Sequence, residues 1–66
     1  MKITLNGKAC QCKEPATVQA VIEQEDLTGK RIAVEVNMEL VPRSQFVTHL
    51  LQEGDRVEIV HAIGGG

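Results

Sequence analysis

The sequence predicts an α+β roll, a single mixed sheet of about four or five strands with one main helix packed across one face. Three observations predict it. Short alternating runs open and close the chain, one segment carries apolar residues at helical spacing, and the order is hairpin, helix, strand, short strand, strand. A helix in that position can cover one face of a sheet, and its long crossover allows the last strand to lie parallel to the first.

The opening run MKITLN places Met1, Ile3 and Leu5 on one face and Lys2, Thr4 and Asn6 on the other, the period of a half-buried strand. Asn6-Gly7 is a strong hairpin signal, because both residues tolerate positive φ in a type I′ turn. A two-residue loop pairs Leu5 with Lys8, Ile3 with Cys10 and Met1 with Cys12, and sends both cysteines into the core. A three-residue loop would bury Gln11 instead. Pro15 then ends the ladder. Thr17 is the expected helix N-cap, and Val18, Val21 and Ile22 form one apolar face while Gln19, Glu23 and Gln24 face solvent. Gly29 is the expected helix stop.

Next, RIAVEVN alternates with Ile32, Val34 and Val36 inward and Arg31, Ala33 and Glu35 outward. A short strand is expected over Glu39 to Val41, broken by Pro42 and followed by a helical turn. Phe46, Leu50 and Leu51 are expected to plug the bottom of the core. Gly54-Asp55 turns into the last strand, with Val57 and Ile59 inward and Arg56, Glu58, Val60 and Ala62 outward.

A chain of 66 residues allows one domain, here residues 1–63, followed by a glycine tail, 64–66. Hydrophobic residues make up 42% of it, enough for a packed core, with Phe46 the sole aromatic. The formal charge of -2 and the missing aromatic surface argue against nucleic acid as a partner. No run approaches the length of about 18 apolar residues that spans a bilayer, and no signal peptide is evident. The expected location is therefore the cytoplasm, with no membrane partner and with both cysteines reduced.

Few residues invite chemistry. Cys10 and Cys12 are spaced C-x-C, which is neither the usual redox nor the usual zinc spacing, and they read as small core residues. His49 and His61 read as surface or edge histidines, with no nucleophile or orienting carboxylate at recognisable spacing. Glu23, Glu25 and Asp26 read as a solvated face rather than a metal site. There is no phosphate-binding loop or dinucleotide fingerprint. No catalytic or metal site is expected, and no bound cofactor.

The terminal Gly64-Gly65-Gly66 is the exception. With Gly66 last, the end carries an α-carboxylate of pKa about 3.5, ionised in the cell. Such a group becomes an acyl donor once attack on the α-phosphate of ATP converts it to an acyl-adenylate, whose carbonyl reacts with sulfur or nitrogen nucleophiles. A partner enzyme must offset the charge repulsion with cations and oriented donors. Glycine alone threads a narrow channel without side-chain clash.

The order of elements, the Asn6-Gly7 hairpin, Val41-Pro42-Arg43, Gly54-Asp55, the VEIV run and the terminal glycines together resemble the ThiS family of thiamine-biosynthesis sulfur carriers, over the whole chain. The resemblance implies a β-grasp, or ubiquitin-like, roll. It implies that Gly66 is adenylated by a ThiF-like enzyme that uses ATP. A persulfide donor then makes the thiocarboxylate, and a ThiG-like thiazole synthase takes the sulfur. Gly65 is the required neighbour and Gly64 adds arm length. The family docks through the sheet face away from the helix, which here includes Ala33, Val60 and Ala62. The alternatives are a molybdopterin-synthase small subunit, also a sulfur carrier, and a β-grasp interaction module that carries nothing. In each case the chain is not an enzyme.

Overall fold

The computed structural model describes residues 1–61. Its strands are β1 (Lys2–Leu5), β2 (Lys8–Gln11), β3 (Ile32–Val36), β4 (Glu39–Val41) and β5 (Arg56–His61), with helix α1 (Val18–Gln24) between β2 and β3 and a 3₁₀ turn over Arg43–Gln45. They form one five-stranded sheet in the order β2-β1-β5-β3-β4. The last strand thus lies at the centre, parallel to β1 and antiparallel to β3. This is the α+β roll that the sequence predicts, in the β-grasp arrangement that the resemblance implies.

The first hairpin has the expected register, Leu5 opposite Lys8 and Ile3 opposite Cys10. Asn6 and Gly7 sit at φ 51° and 83°, as a type I′ turn requires. Alternation holds along β3 and β5. Ile3, Ile32, Val34, Val36, Val57 and Ile59 meet Val18, Val21 and Ile22 of α1 in one apolar cluster. Every buried residue among those described is apolar. Burying an aliphatic side chain of this size contributes about 1.5–3 kcal/mol, so these few carry most of what holds so small a domain together.

The N-terminus of α1 is sealed. Thr17 Oγ1 accepts from the Ala20 N–H at 3.1 Å, and the Val18 and Gln19 N–H groups donate to the His49 and Phe46 carbonyls at 3.0 and 2.9 Å. These partners satisfy the amides that a helix start leaves free.

Three local expectations are corrected. The helix ends at Gln24, earlier than Gly29 implies, and Asp26 takes the left-handed position at φ 61°. The Leu27 N–H bonds back to the Ile22 carbonyl at 2.9 Å and that of Asp26 to Glu23 at 3.0 Å, a Schellman stop. It swings Leu27 back against the core, where another helical turn would offer only Glu25 and Asp26. Leu50 is 59% exposed while Phe46 and Leu51 are buried. Leu50 bridges Thr17 and the Leu51 N–H donates to the Ala16 carbonyl at 2.8 Å, so strand-like alternation turns Leu51 in and Leu50 out. Cys12 is buried as expected, but Cys10 on the edge strand is half-buried at the core margin. Its Sγ accepts from Gln24 Nε2 at 3.4 Å, and the same amide donates to the Gln11 carbonyl at 3.2 Å. Gln24 thereby ties α1 to β2.

Candidate functional site

The glycines at 64–66, with Gly66 the expected reactive end, lie outside the described residues, as does Ala62. The strand that leads to them is described, and its placement is the structural basis of the site. β5 is paired on both sides. On one side it runs with β3 through five opposed pairs, from Val36 opposite Val57 to Ile32 opposite His61. On the other it is parallel to β1, with Leu5 opposite Val57.

Two asparagines extend this hold, and alternation gave no sign of either. β1 turns away at Asn6, yet the Asn6 side chain continues the ladder. Its Oδ1 accepts from the Ile59 N–H at 2.8 Å and its Nδ2 donates to the Ile59 carbonyl at 3.2 Å. Asn37, in the β3–β4 turn, does the same at the start of β5. Its Oδ1 accepts from the Arg56 N–H at 2.9 Å, its Nδ2 donates to Asp55 Oδ1 at 3.0 Å, and its own N–H donates to the Arg56 carbonyl at 2.7 Å. The other oxygen of Asp55 accepts from the Gln52 N–H at 2.8 Å. The available sequence signal is an asparagine at each hairpin turn, where a short amide can reach a neighbouring strand.

Among the described residues the helix covers one face of the sheet and leaves the other open. On the open face Ala33 and Val60 are direct cross-strand partners, so the structure brings together two residues of the expected docking patch. Ala33 is half-buried and Val60 is 58% exposed. Leu40, opposite Glu35 on β4, is 67% exposed, and Met38 in the adjoining turn is 77% exposed. These two enlarge the apolar surface beyond what the sequence reading included.

The remaining candidates stay apart from this surface. Burial pushes the Cys12 thiol up, and the neighbouring Cys10 adds to the effect, so it stays protonated and unreactive near neutrality. His49 is half-buried beside the start of α1, and His61 is exposed at the end of β5. Glu23, Glu25 and Asp26 are exposed. Among the described residues no three of His, Cys, Asp and Glu gather as a metal site, and no helix is long and apolar enough to cross a membrane.

Known proteins are similar to this chain over its full length. The chain is 36% identical over 66 residues to the sulfur carrier protein ThiS of Escherichia coli K12, covering all of both. It is also 36% identical over its full length to a segment making up 20% of a thiazole synthase of Paramagnetospirillum magneticum. A crystal structure of the thiamine biosynthesis protein ThiS from Geobacter metallireducens superposes with a TM-score of 0.86 at 29% identity, with both chains fully covered. The ThiS family model matches residues 3–66, and with the central-strand geometry this establishes that the chain belongs to the ThiS family.

Proposed function

We propose that this chain is a sulfur carrier for the thiazole moiety of thiamine, a protein substrate rather than an enzyme. The reading is carried by the full-length match to the E. coli sulfur carrier together with a central strand running toward the terminal glycines.

The proposed cycle uses Gly66. Its carboxylate attacks the α-phosphate of ATP in a ThiF-like enzyme, forming the acyl-adenylate and releasing pyrophosphate. A persulfide sulfur then displaces AMP at the carbonyl, giving an acyl disulfide. A thiol reduces the S–S bond, which leaves the thiocarboxylate on Gly66 and a new disulfide on the donor side. A ThiG-like thiazole synthase accepts the sulfur onto its substrate as the C–S bond at Gly66 breaks, and an oxygen from the acceptor's carbonyl or from water restores the carboxylate. Gly65 and Gly64 supply an approach without side chains, and the partners supply the cations and oriented donors that the chemistry requires. The chain's own contribution is a rigid body that presents a narrow arm in the cytoplasm.

Intact-mass measurement tests this. After incubation with activating enzyme, ATP and a persulfide donor, one oxygen of the chain should be replaced by sulfur, and deletion of Gly66 should abolish the exchange while leaving the fold unchanged. An unmodified terminus under these conditions would refute the reading.

A further inference from the structure

The main chain of Ile59 faces away from β3. Pairing between β3 and β5 is antiparallel, and the Asn37 N–H bonds the Arg56 carbonyl at 2.7 Å. Bonded and non-bonded pairs alternate along such a ladder. Counted from Asn37 and Arg56, the Glu35–Glu58 and Ala33–Val60 pairs are bonded and the Val34–Ile59 pair is not. The N–H and C=O of Ile59 therefore point to the other side of β5, where β1 lies.

β1 does not extend that far. Its pairing with β5 ends at Leu5 opposite Val57. There the Asn6 N–H bonds the Val57 carbonyl at 2.9 Å, and the chain turns. A continuing strand would offer Ile59 its next main-chain acceptor and donor. The Asn6 side chain supplies both instead, with Oδ1 2.8 Å from the Ile59 nitrogen and Nδ2 3.2 Å from the Ile59 oxygen. An amide bonded to both groups of one residue fixes the peptide planes on either side of it. The Ile59 side chain is buried at the same point, so the strand is pinned there by its backbone and its side chain together.

We propose that Asn6 is a positioning residue for the chemistry at Gly66, in addition to its part in the fold. The inference rests on the sulfur-carrier reading. In that reading a carboxylate oxygen of Gly66 attacks the α-phosphorus of ATP, and the bond to pyrophosphate breaks, inside another protein. The rate then depends on how often the carboxylate lies within attack distance and in line. That is set by the last fixed point of the strand that precedes the arm. With Asn6 in place, β5 is tied on the β1 side up to Ile59. Without the amide the tie retreats to Val57, and Glu58–His61 are joined to the sheet through β3 alone. A strand end held on one side frays, and each residue it releases adds freedom that the arm must lose on entering the partner's site. A longer free arm also lowers the effective concentration of the carboxylate there. The effect falls on the chemical step, because both polar atoms of the Asn6 side chain are already engaged by Ile59.

Single-turnover release of pyrophosphate tests the proposal. Raising the activating enzyme over the chain, with ATP saturating, gives a limiting rate and a half-saturating concentration. Asn6→Gly should lower the limiting rate at least about fivefold and leave the half-saturating concentration within about twofold of wild type. Thr17→Ala is the control for stability alone. It removes the cap of α1 and lowers the melting temperature without touching β5, and its limiting rate should match wild type. Should Asn6→Gly fail to fold, Asn6→Asp carries the same comparison. It keeps the acceptor for the Ile59 N–H and lacks the donor to its carbonyl, so its limiting rate should also fall. A wild-type limiting rate in the Asn6 variant would overturn the proposal. So would a change confined to the half-saturating concentration, which would make Asn6 a contact residue, or an equal fall in Thr17→Ala, which would make the effect one of stability. In each of these cases the wild-type chain is still adenylated and the carrier reading stands. If the wild-type chain releases no pyrophosphate, that reading falls and this inference with it.

Discussion

Asn6 has two roles at one position. At φ 51° it occupies a turn conformation that most side chains avoid, and its amide forms both hydrogen bonds to Ile59. Glycine keeps the turn and removes the amide, while its relief of positive-φ strain and its added chain entropy oppose one another, so Asn6→Gly chiefly reports the clamp. Each hydrogen bond contributes a net of about 0.5–1.5 kcal/mol, and the expected loss is about 1–2 kcal/mol. Urea unfolding should show it as a lower midpoint, and the Ile59 amide should exchange faster with solvent. An unchanged midpoint would mean that water replaces Asn6 at no cost. This residue also marks a limit of the sequence. Asn6-Gly7 announced a turn through local backbone chemistry, but the reach of its side chain to Ile59 crosses 53 positions, and no local pattern encodes it.

The elements themselves were legible wherever local alternation determines burial. β1, β3 and β5 follow their apolar period, and Thr17 caps α1 as its chemistry requires. The misplacements occurred where a distant contact decides. Leu50 and Leu51 differ in burial because one backbone bond to Ala16 sets their parity, and α1 stops early because Leu27 is drawn back to the core. The β3–β4 turn raises a different question. Asn37 and Met38 both have positive φ, 52° and 71°, and methionine is poorly suited to that conformation. A non-glycine residue there costs about 1–2 kcal/mol, partly offset by the extra chain entropy that glycine loses on folding. Met38→Gly should therefore stabilise the domain by about 0.5–1 kcal/mol, read as a higher melting temperature. An unchanged or lower value would show that Met38 is held by packing instead. Its exposure favours the first outcome, and an exposed methionine kept in a strained turn fits a role in contact with a partner.

At the scale of the whole molecule, one helix cannot cover both faces of five strands. Among the described residues the sheet keeps an open face that includes β5, the central strand and the one that precedes the glycines in sequence, so on the carrier reading an enzyme seated there lies against that strand. On that reading the surface residues of β5 should affect binding without affecting folding. Val60→Asp tests this. Val60 is outside the core cluster, and substitutions at such surface positions usually change stability by less than about 0.5 kcal/mol. In a complex with the activating enzyme the same aspartate would be a desolvated charge on an apolar contact, beside Glu58 and opposite Ala33. Affinity should fall tenfold or more, equivalent to about 1.4 kcal/mol, while the unfolding midpoint stays near wild type. Sulfur loading should slow in proportion at low enzyme concentration and recover as enzyme is raised to saturation, because the tail itself is intact. Wild-type affinity in this variant would place the docking surface elsewhere. Lost affinity with no recovery at saturation would mean that the charge disturbs how the tail is presented.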